Sequence, residues 1–166
     1  QLSWNKAVKL EGNYAEALAV LGTTDAFYLI YKYKFKGESI VKVNKYNAAA
    51  KLIADEILIN YGKQIHIPTP SLVFSENKHK VLLYNMEYFA DFEVASFDLA
   101  AMKQLWVKNF TPVNLDFENE FRQMLVNNEG SMYMALNRNN RKLKKDAAPF
   151  LEVICHCPFF NIYTAI

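Results

Sequence analysis

Lys42 stands in the middle of "SIVKVNKY", Ser39 to Tyr46, an apolar run that reads as a strand, and a buried strand has no evident use for an ammonium group. Fourteen positions later, Glu56 has the converse problem. Read as a helix, "NAAAKLIADEILINYG" gives Glu56 the helical neighbours Ala49, Leu52, Ile53 and Ile59, all apolar, whereas Asp55 has Lys51 four residues before it as a surface partner. A carboxylate on an apolar face needs a cation or a proton, so the simplest pairing is Lys42 with Glu56. Two other clusters could do chemistry. "RNNRKLKK", Arg138 to Lys145, puts five positive charges in eight residues and could attract a phosphate-bearing ligand, acidic lipid or nucleic acid, although such runs are usually solvated faces. Cys155-His156-Cys157 offers metal-ligating side chains, but a closed zinc site needs four donors at workable spacings, and a buried apolar strand is the favoured reading.

The elements that must position these residues follow from periodicity. In "AFYLIYKYKFKGESIVKV", Phe27, Leu29, Tyr31, Tyr33 and Phe35 alternate with Lys32, Lys34 and Lys36, and Lys36-Gly37-Glu38 breaks the run as a turn. This predicts a β-hairpin with one wet face, its aromatics being core or edge residues. The preceding "NKAVKLEGNYAEALAVLG" is open between helix and strand, with Gly22 as its end. Asn47 as N-cap, the alanines after it and Gly62 as stop predict a helix over 47–62. Beyond it, "FDLAAMKQLWVKNF" and "FENEFRQMLVNNEGSMYMAL" have helical spacing, the second placing Phe121, Met124 and Leu125 on one side. The expectation is an α+β fold: an antiparallel sheet with one packed helix over residues 1–92, then a mainly helical region over 93–166.

Composition sets the outer limits. With 166 residues and 52% hydrophobic content the chain can bury a core, and a formal charge of +2 implies no general preference for nucleic acid. Its apolar stretches are interrupted before the length of a helical membrane span, so no transmembrane segment is expected. Two cysteines, too close together for a disulfide framework, favour a reducing compartment and hence the cytoplasm. No internal sequence repeat is visible. The closing "APFLEVICHCPFFNIYTAI" is strongly apolar, which predicts either a fragment or a protein partner that covers this end.

The order of these features resembles the N-terminal lobe of protein-kinase-like phosphotransferases, the aminoglycoside and choline kinase branch above all. The resemblance spans Gly22 to Phe92: a lysine in a Val-Lys-Val strand, a helix with a glutamate, Pro68 and Pro70 in "IPTPSLVF", and the strand ending "VLLYNMEYF". It implies ATP and magnesium as cofactors, with Lys42 on the nucleotide phosphates, Glu56 orienting Lys42, and Met86, Glu87 and Tyr88 as the adenine hinge. It further implies Thr23 and Thr24 of "LGTTDAF" as phosphate donors in place of a glycine-rich loop, and Asp116 of "NLDFEN" as the magnesium ligand. The family's H-x-D loop is absent, since His66, His79 and His156 are followed two residues later by Pro68, Val81 and Pro158. The function expected is therefore an ATP-dependent phosphotransferase domain or fragment, active or pseudokinase-like. The alternative is a non-catalytic protein-interaction or effector-type binding module. A third reading is a degenerate restriction-endonuclease-like nuclease, which "TTDAFYLIYKYKFKGESIVKVNKY" resembles, with lysine and asparagine in "IVKVNK" where that family places an acid and a lysine.

Overall fold

Lys36 and Gly37 both have positive φ, 51° and 86°, the signature of the two-residue turn that best matches strand twist. They join β2 (Ala26–Phe35) to β3 (Glu38–Asn47), so the expected hairpin is present. On its flanks lie β1 (Asn13–Gly22), paired with β2, and β4 (Leu52–Lys63), paired with β3. The result is a four-stranded antiparallel meander in the order β1-β2-β3-β4. Its lysine face is not wet at the centre: Tyr28, Ile30 and Lys32 are buried there. Lys32 reaches Glu16, its cross-strand neighbour, at 3.0 Å and the Thr69 hydroxyl, and Lys34 donates to the Ile65 carbonyl at 2.8 Å. The long stems of these lysines cover the sheet while their heads find partners in the segment that follows β4.

The helix expected over 47–62 does not form. Asn47 Oδ1 accepts the N–H groups of Ala49 (3.1 Å) and Lys51 (3.0 Å), which is N-cap chemistry used to close a turn. Ala50 then takes a left-handed φ of 53° and the chain reverses into β4. The helix-like spacing of apolar residues in β4 comes from register shifts on either side of 54–57, at Ile53 and Leu58, which break the period of two. Because Ala50 bears a Cβ in the left-handed region, Ala50→Gly is expected to raise stability by about 0.5–1 kcal/mol, read from the urea midpoint at constant slope.

The described residues of the computed structural model are 7–66, 68–85, 92–110, 121–138 and 150–156, and every regular element among them is a strand. The chain divides into two compact units, Gln1–Thr69 and Pro70–Ile166. In the second, β5 (Ser71–Phe74), β6 (Lys80–Tyr84), β7 (Phe92–Asp98) and β8 (Lys103–Phe110) form another antiparallel meander. A third follows from β9 (Phe121–Val126), β10 (Met132–Arg138) and β11 (Phe150–His156). The two helical segments expected in 97–136 are thus strands joined by turns wherever they are described. Asp98 and Asn127 repeat the chemistry of Asn47, closing turns where N-caps could stand: Asp98 Oδ1 takes Ala101 N–H, and Asn127 Oδ1 takes Glu129 and Ser131 N–H.

Leu82, Tyr84, Val94 and Phe110 of one sheet pack against Met124, Val126, Met132, Met134 and Leu136 of the other. Polar bonds cross the same layer. The Gly130 carbonyl accepts both Ser96 Oγ (3.1 Å) and Trp106 Nε1 (2.9 Å), and Asn77 N–H donates to Asn128 Oδ1 (3.2 Å). Gly130 sits at φ 89°, close against Leu105 and Ser96, where only glycine fits. The sequence has no internal repeat, yet one topology, the antiparallel meander, occurs three times. A mainly β chain of this kind is neither an α+β fold nor a kinase-like lobe, whose defining helix would have to stand where β4 stands. No helix among the described residues is long and apolar enough to cross a membrane.

Candidate functional site

Residues 7–12 precede β1 and fold back across one face of the first sheet, where Val8 and Leu10 pack on Leu29, Tyr31, Tyr33, Ile40 and Tyr46. The reversal falls at Gly12, φ 69°, where a Cβ would strike the Tyr33 ring and lie 2.5 Å from the Lys34 carbonyl oxygen. This strap carries Glu11 over Lys42. Lys42 Nζ lies 2.7 Å from Glu11 Oε1 and 2.6 Å from Asp55 Oδ2, its side chain only 8% exposed. Burial pushes its pKa down, but the hydrogen bonds to Asp55 and Glu11 more than reverse that, and the ammonium is held well above the ordinary lysine value.

Beside it Tyr31 stacks on Tyr33 with ring centroids 5.5 Å apart. Burial, and then the Glu11 carboxylate, push the Tyr31 hydroxyl up to about 12. That hydroxyl is enclosed without a hydrogen bond of normal geometry, the Glu11 main chain lying near enough to temper the shift but not to satisfy the group. Burial and Glu11 raise Tyr33 as well.

Between strap and β4 runs an open groove of about 960 Å³. Tyr33, Phe35, Ile40 and Ile57 give it apolar walls. Its charged lining is Glu11, Glu38, Asp55 and Glu56 against Lys9 and Lys42, four carboxylates to two ammoniums, a formal −2. Glu38 Oε2 accepts from Asn60 Nδ2 at 2.9 Å, which steadies one carboxylate at the far end. The lining contains no histidine, cysteine, serine or threonine.

Of the residues singled out in the sequence, Lys42 is at the centre of this arrangement, while Glu56 is one position away from its expected role. In a strand Asp55 lies opposite Asn44, two residues from Lys42 on the same face, whereas Glu56 springs from the alternate face, is exposed, and lines the groove without reaching Lys42 as a salt-bridge partner. The Glu56 carboxylate accepts the N–H of its own neighbour Ile57 at 3.3 Å. Glu11 was missed, and its only advance sign is the glycine after it. Thr23 and Thr24 lie in the β1–β2 turn, where Thr23 Oγ1 donates to the Ala26 carbonyl. Lys42 pairs with Tyr31 and the turn begins beyond Phe27, so they stand about 13 Å or more apart along the strand.

Met86, Glu87, Tyr88 and Asp116 lie outside the described residues. So does the basic run Arg138 to Lys145 apart from Arg138, which ends β10, and so does the apolar C-terminal segment apart from Phe150–His156. Within β11, the His156 ring stands edge-on to Trp106 (4.6 Å) and Phe110 (6.0 Å), and burial, aided by Lys108, pushes its pKa below the ordinary value. Among the described residues no group of three or more His, Cys, Asp or Glu side chains could hold a metal ion.

No family model and no curated protein matches the sequence. Among solved structures the chain is similar to the uncharacterized protein lmo1340 from Listeria monocytogenes EGD-e, with 12% identity and a TM-score of 0.46 over 89% of this chain and 40% of that one. The chain therefore spans about two fifths of that protein's length.

Proposed function

We propose that the chain is a non-catalytic binding module whose first sheet takes a ligand with a cationic group and an apolar body. The observation that carries this reading is the acidic, aromatic-walled groove in which the central ammonium is already neutralised. Lys42 is held by two carboxylates and has little left to offer a phosphate, while the surplus negative charge favours a cation. The half-exposed Phe35 and Ile57 supply area for its apolar part, and Lys36 Nζ, 5.4 Å from the Phe35 ring centroid, shows that this ring accepts a cation over its face. The cytoplasm is the proposed compartment, on the ground that two cysteines two positions apart make no disulfide framework.

The test is a calorimetric titration with a nine-residue peptide amide that alternates arginine with valine and phenylalanine. Saturable binding that weakens with salt is the expected result, reduced at least tenfold by Glu38→Gln combined with Glu56→Gln. Equal binding of the glutamate-for-arginine peptide would overturn the reading. Magnesium-ATP at a hundredfold excess over a dissociation constant would add about 2.7 kcal/mol of stability, and no thermal shift of that kind is expected at millimolar concentration.

A further inference from the structure

We infer that the ligand is an extended peptide, basic and apolar residues alternating, that adds to the open edge of β4 as a fifth strand of the first sheet; this rests on the binding-module reading above. Among the described residues β4 is an outer strand of its sheet, twelve residues long and without proline. The Ile57 N–H donates to the Glu56 carboxylate at 3.3 Å, a bond open to an amide on the outer side of the strand. In an antiparallel ladder alternate residues share that orientation, so Asp55 and Ile57 turn their main-chain groups outward together.

Edges of this kind are normally blunted by lysine or proline. β4 has no proline and its single lysine is the last residue, Lys63, so the stretch from Leu52 to Gly62 carries only the charges of Asp55 and Glu56. Leu52, Ile53 and Ile57 are each 43–52% exposed beside the edge. The irregularities at Ile53 and Leu58 bound a regular stretch of Ala54 to Ile57, which fixes the seat of a short guest. An alternating strand laid about 4.8 Å from β4 would set a basic residue beside Glu56 and apolar ones beside Ile57 and beside Asp55, whose carboxylate is already paired with Lys42. Docking requires only that the Glu56 carboxylate leave the Ile57 N–H for the guest's side chain, so a local hydrogen bond is exchanged for a ladder bond and an ion pair.

The experiment uses the whole chain, the arginine-valine-phenylalanine peptide, and two forms of it N-methylated at alternate residues in the two possible frames. Strand addition predicts that the parent slows amide exchange at Asp55 and Ile57 at least tenfold. It also predicts that one methylated form binds like the parent, because its methyl groups face away, while the other binds at least tenfold more weakly. Two methylated forms equal to the parent, with Asp55 and Ile57 exchange unchanged, overturn strand addition and leave the groove reading standing. Failure of all three peptides overturns both. Protection at Ile57 that rises with protein concentration and not with peptide shows a second copy on the edge and likewise overturns the inference.

Discussion

Glu11→Ala combined with Asp55→Ala is expected to destabilise the first unit by about 3–5 kcal/mol, because it leaves a buried ammonium without a counter-charge. Lys42→Met is expected to cost less than about 1.5 kcal/mol, since methionine keeps most of the volume. The asymmetry comes from exposure: the Lys42 side chain is 8% exposed, whereas Glu11 and Asp55 are 54% and 44% exposed and can be rehydrated once the lysine is gone. Urea unfolding of the three proteins decides the matter, and a Lys42→Met variant as damaged as the double variant would show that the carboxylates, not the lysine, need the pair. The same cluster fixes an alkaline limit. Lys42 and Tyr31 both have folded pKa values above their unfolded ones, so the stability they contribute is fully present below about pH 10 and is lost as pH rises toward 12. Lys42→Met with Tyr31→Phe should flatten that alkaline decline.

Gly12→Ala is the second large effect, about 2–4 kcal/mol, from a left-handed φ of 69° and a Cβ driven into the Tyr33 ring and the Lys34 carbonyl. Gly37→Ala is the internal control. Its φ of 86° is equally unfavourable to a side chain, but an added Cβ meets nothing within 4 Å, so the difference between the two variants isolates the steric part. Denaturant midpoints give both values. If they coincide, the strap simply moves aside and its close approach to Tyr33 is not what holds Glu11 over Lys42. Loss of peptide binding in Gly12→Ala alone would show the strap to be one wall of the groove.

The hairpin of β2 and β3 could be read from the sequence because alternation and a Lys-Gly turn are local signals that tertiary context did not override. The rest of the first sheet could not. Asn47 carries the same side-chain chemistry whether it caps a helix or closes a turn, and the alanines after it propagate a helix only if the turn does not form first. The register shifts around Ile53 and Leu58 then removed the period of two that would have marked β4 as a strand. A helix in place of β4 makes Glu56 the partner of Lys42 instead of Asp55, a difference of one residue with its whole cause in the element type. The phosphotransferase resemblance rested on that helix and falls with it. Glu11 was out of reach in any case, since its contact with Lys42 spans 31 positions and depends on a backbone reversal at Gly12.

Methionine is unbranched and soft, and a layer filled by Met124, Met132 and Met134 would accept several ways of seating one sheet on the other. What selects one is the Gly130 carbonyl, claimed at once by Ser96 and Trp106, together with the turn-to-turn bond from Asn77 to Asn128. A slide of one residue would leave Ser96, wholly buried, without an acceptor, a cost that a compliant apolar filling cannot recover. The second unit is in this sense a greased joint located by dowels: its filling can vary and still fit, whereas its alignment is carried by a few polar atoms at one end of the sandwich.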